Sequence, residues 1–315
     1  MNNLAPIILF VYNRPQHTLQ TLEALSKNEL AQDSILYIFA DGIKKNASEE
    51  TIAKINETRT IIKSKSWCKE VHVIERTENF GLAKSVIEGI TQIINQYGKV
   101  IVLEDDLVTS PYFLKFMNDA LNKYEHENSV ACISAYIYPI DNLPDLFFIK
   151  GADCWGWATW KHAWDLFEPN GQKLLTELEQ KKLTYQFDLN NSYPYTKMLR
   201  EQISGINHSW AIRWYASAFL KNKLCLYPGK SLVNNIGTDG SGTHDGSTTV
   251  YQTKPVDYYN GLKDINVEVN NEALNQMTTY FKALDLIGKE PSAIKQFIKR
   301  LTPSFLLSFY RKIKA

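Results

Sequence analysis

Four short apolar runs constrain the fold of this chain more than any other feature: IILFVY at 7–12, ILYIFA at 35–40, VHVIE at 71–75 and VIVL at 100–103. They are continuous rather than alternating, as strands buried on both faces are. Between them, PQHTLQTLEALSK (15–27), SEETIAKINETRTIIKS (48–64) and LAKSVIEGITQIINQY (82–97) carry helical periodicity. Strand, helix, strand at a spacing of roughly 30 residues is the βαβ unit, which predicts an α/β protein with a mainly parallel sheet. In such sheets ligands collect beyond the carboxyl ends of the strands.

Polar residues stand at each of those ends. Asn13-Arg14-Pro15 follows the first run, Asp41-Gly42 the second, Arg76 to Asn79 the third, and Glu104-Asp105-Asp106 the fourth. Past residue 125 the pattern loosens, with strand-like VACIS (130–134) and LFFIK (146–150) before the Trp-rich CWGWATWKHAW (154–164). Residues 229–255 are rich in Gly, Ser, Thr and Asn, which predicts a long loop, and loops of that length are uncommon unless functional. The expected organisation is a ligand-binding half over 1–125, a second half of the same domain over 126–265, and a helical appendage over 266–315.

Composition narrows the function classes. With 35 Lys and Arg against 34 Asp and Glu, no basic surplus points to nucleic acid. Cys68, Cys132, Cys154 and Cys225 are scattered without C-x-x-C or a histidine at ligand spacing, so a disulfide framework and a zinc site are both disfavoured and a reducing cytoplasm fits. The N-terminal stretch has no basic region or cleavage site of a signal peptide, and its apolar run is far below the ~20 residues of a membrane span.

Three adjacent carboxylates at a strand end need an explanation. Helix capping accounts for Ser110-Pro111, as N-cap and first residue of the next helix, but not for Glu104, Asp105 and Asp106 together. Clustered carboxylates without a nearby cation are costly, and a hard divalent ion is the usual remedy. Such an ion leaves positions open to diphosphate oxygens. Dinucleotide-binding and P-loop enzymes share the α/β pattern, but neither G-x-G-x-x-G nor G-x-x-x-x-G-K-[ST] occurs. Receiver domains carry their paired acids after the first strand of a much shorter chain.

Taken in order, VYNRP, ADG, ENFGLAKSV and VLEDDLVTSPYFL resemble the nucleotide-sugar half of GT-A-fold glycosyltransferases, over about residues 5–250 in all. The acidic motif with its following Ser-Pro-x-Phe is most similar to bacterial family-2-like sugar transferases and the N-acetylglucosaminyltransferase I group. The resemblance implies a GT-A (Rossmann-like) fold, a nucleotide-sugar-binding half, an acceptor-side half, and a uridine diphosphate sugar as donor. It implies Asp106 as the ligand of Mn²⁺ or Mg²⁺, with Glu104 and Asp105 holding ribose hydroxyls or the metal's waters. Asp41 is placed to accept the N3–H of uracil, and Arg14 to meet the diphosphate. Asn79 and Lys84 flank the same region, where Lys84 would neutralise phosphate.

In the second half, GADCWGWATWKHAW is similar to the acceptor-side segment of that group. Related proteins place an aspartate base directly after a tryptophan matching Trp210, and here Ala211 holds that position. The expected base is therefore Asp153, with Asp239 and His244 of the glycine-rich loop as alternatives better placed over the diphosphate. Trp157, Trp160 and Trp164 fall at i, i+3 and i+7, which predicts core packing, as for Trp214. The expected activity is an inverting, metal-dependent transfer to a hydroxyl on a glycan or lipid-linked acceptor, serving polysaccharide biosynthesis. The C-terminal SAIKQFIKRLTPSFLLSFYRKIKA mixes basic and apolar residues, as an interfacial membrane helix does. Two rival readings are a sugar-nucleotide nucleotidyltransferase, which would show a Gly-rich basic loop after the first strand, and a carbohydrate-binding module, which leaves the acidic cluster unexplained.

Overall fold

The computed structural model describes residues 4–241 and 248–289. In chain order its first half runs β1 (Ile7–Val11), α1 (Pro15–Ser26), β2 (Ile35–Ala40), α2 (Glu49–Ile62), β3 (Glu70–Glu75), α3 (Leu82–Tyr97), β4 (Lys99–Glu104), β5 (Leu107–Thr109) and α4 (Phe113–Lys123). The second half continues with β6 (Val130–Ser134), β7 (Leu146–Lys150), β8 (Trp157–Trp160), α5 (Lys161–Trp164), α6 (Gly171–Gln180), α7 (Thr184–Phe187), α8 (Tyr195–Ile203), α9 (Ala211–Leu220), β9 (Leu224–Pro228), β10 (Val233–Asn235) and α10 (Asn271–Lys289).

One sheet, ordered β3-β2-β1-β4-β8-β6-β9-β7, runs through both halves, and β10 pairs with β5 in a separate antiparallel ribbon. Strands β3, β2, β1 and β4 are parallel, as the βαβ spacing predicts. Strand side chains alternate between faces. Ile7, Leu9 and Val11 of β1 pack with Leu22, Leu25 and Ile62 of α1 and α2, whereas Ile8 and Phe10 pack with Val86, Ile90 and Ile93 of α3. Truncating one of these fully buried side chains to alanine costs about 2–5 kcal/mol. Gly89 of α3 lets the Phe10 ring approach, since a Cβ there would stand 2.7 Å from it.

Because β2 and β3 are laid down on one side of β1 and β4 on the other, the chain reverses its winding between β1 and β4. That switch point is where an open α/β sheet leaves a crevice. Strand β8 then enters antiparallel to β4, with Trp157 opposite Val102 and Trp160 opposite Lys99. The residues just before β8 are thereby delivered to the edge where β4 ends.

Three local expectations are corrected. The 229–255 stretch is not all loop, since it contains β10. Ser110 is not the N-cap of α4, which begins at Phe113; its hydroxyl accepts the Tyr112 N–H in a turn just before. The 266–315 region is not wholly an appendage: Ala273, Met277 and Phe281 of α10 are buried in the core beside the sheet. No helix among the described residues is long and apolar enough to cross a membrane. The basic tail lies outside the described residues.

Candidate active site

Arg14 and the acidic cluster meet at the switch point. Arg14 is the residue before α1, with Pro15 opening the helix, and its carbonyl accepts both the Thr18 N–H and hydroxyl. Its guanidinium Nη2 donates to Asp105 Oδ1 and to Asp106 Oδ2, the latter at 2.7 Å. Thr21, two turns along α1, donates its hydroxyl to the Asp105 carbonyl at 2.9 Å. The end of β4 is thus fastened to the start of α1 by two ion pairs and one hydroxyl.

The charges do not balance locally. Burial opposes the Arg14 charge, but Asp105 and Asp106 outweigh it and hold the guanidinium firmly protonated. Glu104 is pushed up to about 8 by burial, then by Asp106 and Asp105, with Arg14 pulling the other way. Burial also pushes Asp105 up to about 6, against the pull of Arg14. Three carboxylates around one guanidinium leave a site short of positive charge.

The chain after β10 covers this cluster. The Ile236 N–H donates to the Asp106 carbonyl at 2.9 Å. A Cβ on Gly237 would stand 2.0 Å from Asp106 Oδ2 and 2.9 Å from Arg14 Nη1, so only glycine fits. Thr238 has a buried hydroxyl with no hydrogen-bond partner among the described residues, an arrangement that costs about 1–3 kcal/mol. Asp239 reaches His17 of α1, with Oδ2 3.1 Å from Nε2. Its Oδ1 accepts the Ser241 N–H and hydroxyl, and these bonds hold its carboxyl below the usual range. Asp239 thus links the chain after β10 to α1. His244 lies outside the described residues.

Beside this, Asp41 secures the ends of β2 and β3. Its Oδ1 accepts the Gly42 and Phe80 N–H groups, and its Oδ2 accepts Asn79 Nδ2 and the Gly81 N–H, all at 2.9 Å. Four donors fill the lone pairs of a carboxylate. A uracil N3–H would find an acceptor here only by displacing one of them. Gly42 is needed for close approach, since a Cβ would stand 2.2 Å from the Glu78 carbonyl carbon. Lys84 projects from α3 over the Phe80 ring at 4.1 Å and pairs with Glu88 at 3.7 Å, on an exposed face.

Asp153 occupies the loop between β7 and β8, bracketed by two left-handed glycines. Gly151 has φ +118° and abuts the Tyr215 ring; Gly156 has φ +66° and abuts Val233. Asp153 Oδ1 accepts the Cys154 N–H at 2.6 Å and the Trp155 N–H at 3.4 Å. Burial raises its carboxyl above the ordinary range, although the Cys154 N–H, the Tyr227 hydroxyl, the Trp155 N–H and the Ser134 hydroxyl pull it down. Tyrosines surround it: its charge is felt by Tyr136, Tyr138, Tyr195 and Tyr227. Trp155 packs edge-on to Tyr136, with centroids 4.7 Å apart. The Cys154 thiol is raised by burial and then by Asp153, Glu104 and Asp106. It lies within the fields of both acidic sites, as the antiparallel entry of β8 requires. Trp157, Trp164, Trp210 and Trp214 pack on one another in the core, and Trp160 is buried as well.

Residues 7–180 match Glycosyl transferase family 2. This chain belongs to that family. As a family 2 glycosyltransferase it is also similar to solved structures at low identity. A mannosyltransferase from Pyrobaculum calidifontis, solved with GDP-Man and Mn²⁺, is 14% identical over 42% of this chain and 35% of its own, with TM-score 0.31. S. aureus TarS 1-349 is 12% identical over 75% of this chain and 61% of its own, with TM-score 0.40. Glucosyl-3-phosphoglycerate synthase from Mycobacterium tuberculosis, solved with Mn²⁺, UDP and phosphoglyceric acid, is 10% identical over 52% of this chain and 57% of its own, with TM-score 0.31. The chain therefore spans between about a third and three fifths of these proteins. It matches no curated protein.

For a family 2 enzyme the acidic cluster must be weighed as a metal site. Among the described residues no three His, Cys, Asp or Glu side chains gather in metal-ligand geometry. Mg²⁺ rarely uses such a cage; one or two carboxylates plus substrate phosphates suffice. Asp105 and Asp106 lie together at the end of β4 as such a site requires, and both add to the burial that raises Glu104. Sequence reasoning missed His17, Thr21 and Gly237. The signal for the first two was present, since His17 and Thr21 follow Arg14 at helical spacing; nothing in the sequence marked Gly237 among the glycines of its loop.

Proposed function

We propose that this glycosyltransferase moves a hexosyl or N-acetylhexosaminyl group from a uridine diphosphate donor to a hydroxyl of a glycan or lipid-linked acceptor, with inversion. One observation supports this reading above the others: the Cys154 thiol, just before β8, feels the charges of Asp153, Glu104 and Asp106, and β8 pairs with β4. This supports a carboxylate of raised proton affinity acting opposite a charge-rich phosphate site. Asp153 takes the proton of the acceptor hydroxyl, and the raised proton affinity suits it to that task near neutral pH. Asp106, supported by Asp105, would hold Mn²⁺ or Mg²⁺, which when bound supplies stabilisation of the diphosphate leaving group. Glu104 would orient water or ribose around it. Asp41 and Asn79 shape the base-binding turn by fixing Gly42 and Gly81, and the backbone of that turn reads the base.

The kinship with the N-acetylglucosaminyltransferase I group, a role in polysaccharide biosynthesis, and cytoplasmic action at a membrane face remain parts of the same proposal. They rest on the Ser110-Pro111-x-Phe motif and on the basic C-terminal sequence. A thermal-shift panel of UDP, GDP and CDP, each with Mn²⁺ or EDTA, tests the core of it. UDP should stabilise the protein most, and only with the metal. An equal response in EDTA, or none to any nucleotide, would remove the metal-dependent donor from the proposal.

A further inference from the structure

Asp106 Oδ2, the oxygen proposed for the metal, is engaged from within the protein. Arg14 Nη2 donates to it at 2.7 Å, and Gly237 closes its other side so tightly that a Cβ would stand 2.0 Å away. A guanidinium, a glycine backbone and a hydrated divalent ion cannot all surround one oxygen. Yet Arg14 is also the side chain best suited to grip a diphosphate, because its planar fork matches phosphate oxygens as well as carboxylates. Its main chain is fixed by Thr18 at the mouth of α1, so the guanidinium can exchange partners by side-chain rotation alone.

We propose that Arg14 is an exchangeable counter-ion, a positioning residue that acts through Asp106. It neutralises Asp105 and Asp106 until a nucleoside diphosphate draws it away, and its release hands Asp106 to the divalent ion. Nucleotide and metal then bind cooperatively. This rests on the metal-dependent reading above. One positive charge leaves the carboxylates and two would arrive with the divalent ion, while the guanidinium follows the diphosphate anion. By linkage, the factor by which UDP tightens Mn²⁺ equals the factor by which Mn²⁺ tightens UDP.

Mn²⁺ binding to the full chain, followed by the electron-spin-resonance signal of the free ion and corrected for Mn²⁺–UDP in solution, tests the exchange. Wild type should bind Mn²⁺ weakly alone, no better with uridine, and on the order of tenfold tighter with UDP, within the usual range of coupling between sites. Arg14→Ala should bind Mn²⁺ alone about tenfold tighter than wild type and lose most of the coupling to UDP. Arg14→Lys, which keeps the charge but not the fork, should fall between them. Removing a fixed counter-ion would also tighten Mn²⁺, so the coupling factor is the deciding quantity. An unchanged factor in Arg14→Ala, with an unliganded melting temperature showing a folded protein, overturns the exchange while leaving the metal reading intact. Absence of Mn²⁺ binding to wild type even with UDP removes that reading and the exchange with it. Asp106→Asn should abolish the Mn²⁺ response, and its survival would overturn the assignment of Asp106.

Discussion

The two acidic sites of this enzyme are built on opposite principles. Asp105 and Asp106 are held by a full positive charge, Arg14, in a cluster that still carries surplus negative charge. Asp153 is held by neutral donors alone, two backbone N–H groups with tyrosine and serine hydroxyls, inside an aromatic surround. A charge-paired cluster is suited to exchanging ions, because one cation can replace another with little net change. A carboxylate supported only by dipoles is suited to exchanging a proton, because gaining one does not strand an opposite charge. On the proposed function, this contrast in supporting partners separates the phosphate side of the reaction from the proton-transfer side.

The largest test of that division is Asp106→Asn. It should lower kcat/KM by about 10³-fold or more, the scale of losing a metal's stabilisation of the leaving group, and erase the Mn²⁺-dependent melting shift with UDP. If the shift persists, the cluster is not the ion-exchanging site. Next is Asp153→Asn, expected to reduce kcat by ~10²-fold while leaving the UDP and Mn²⁺ response intact. The base must be unprotonated to act, and burial raises its carboxyl, so wild-type kcat/KM should fall on an acid limb lying above the ordinary carboxylate range. A limb at ordinary carboxylate values, or a lost UDP response, would show that Asp153 belongs to the donor side.

Gly237→Ala probes the cover over the ion pair. Its Cβ would force Asp106, Arg14 or the loop to shift, so UDP affinity measured with Mn²⁺ should weaken by about tenfold, the lower range for overpacking. Unchanged affinity would mean that the loop yields without disturbing Asp106. The smallest effect is on stability. Glu104 keeps its proton in the folded protein up to about pH 8, whereas the unfolded chain releases it near 4.5. The stabilisation is therefore complete below the unfolded value and is lost as pH rises through the folded one. In EDTA, Glu104→Gln should remove that loss and gain on the order of 1 kcal/mol over wild type at pH 9, with little gain at pH 4. Parallel pH profiles for the two proteins would show that burial and its acidic neighbours do not raise Glu104.

The legibility of this molecule in its sequence follows the same division. Strands β1 to β4 and helices α1 to α3 could be read because hydrophobic runs and helical periods are local signals, and Arg14, Asp41, Asn79 and Glu104–Asp106 stand directly at strand ends. Asp153 was singled out as the candidate base from its place between a strand-like run and the Trp-rich segment. What could not be read depended on pairing over long distances. The β5–β10 ribbon joins residues over a hundred positions apart, and the antiparallel entry of β8 has no local signature. The tyrosines around Asp153 come from three separate segments of the chain. Asp41 was recognised as a site residue, but its four donors, and hence its structural work, appear only when β2 and β3 are side by side.

The two glycines that bracket Asp153 bear on how such an enzyme can diversify. Each adopts a backbone conformation that other residues resist, and each is pressed against a side chain that a methyl group would strike. The short segment between them is consequently fixed in length and direction, with its carboxylate on a rigid mount. A lineage drifting towards a new acceptor would keep this mount and alter the aromatic side chains around it. Directed evolution has the same choice: variation at Tyr138, Trp155, Tyr193 and Tyr251 can reshape the neighbourhood of Asp153, the proposed base, whereas variation at Gly151 or Gly156 would mostly yield chains that no longer fold.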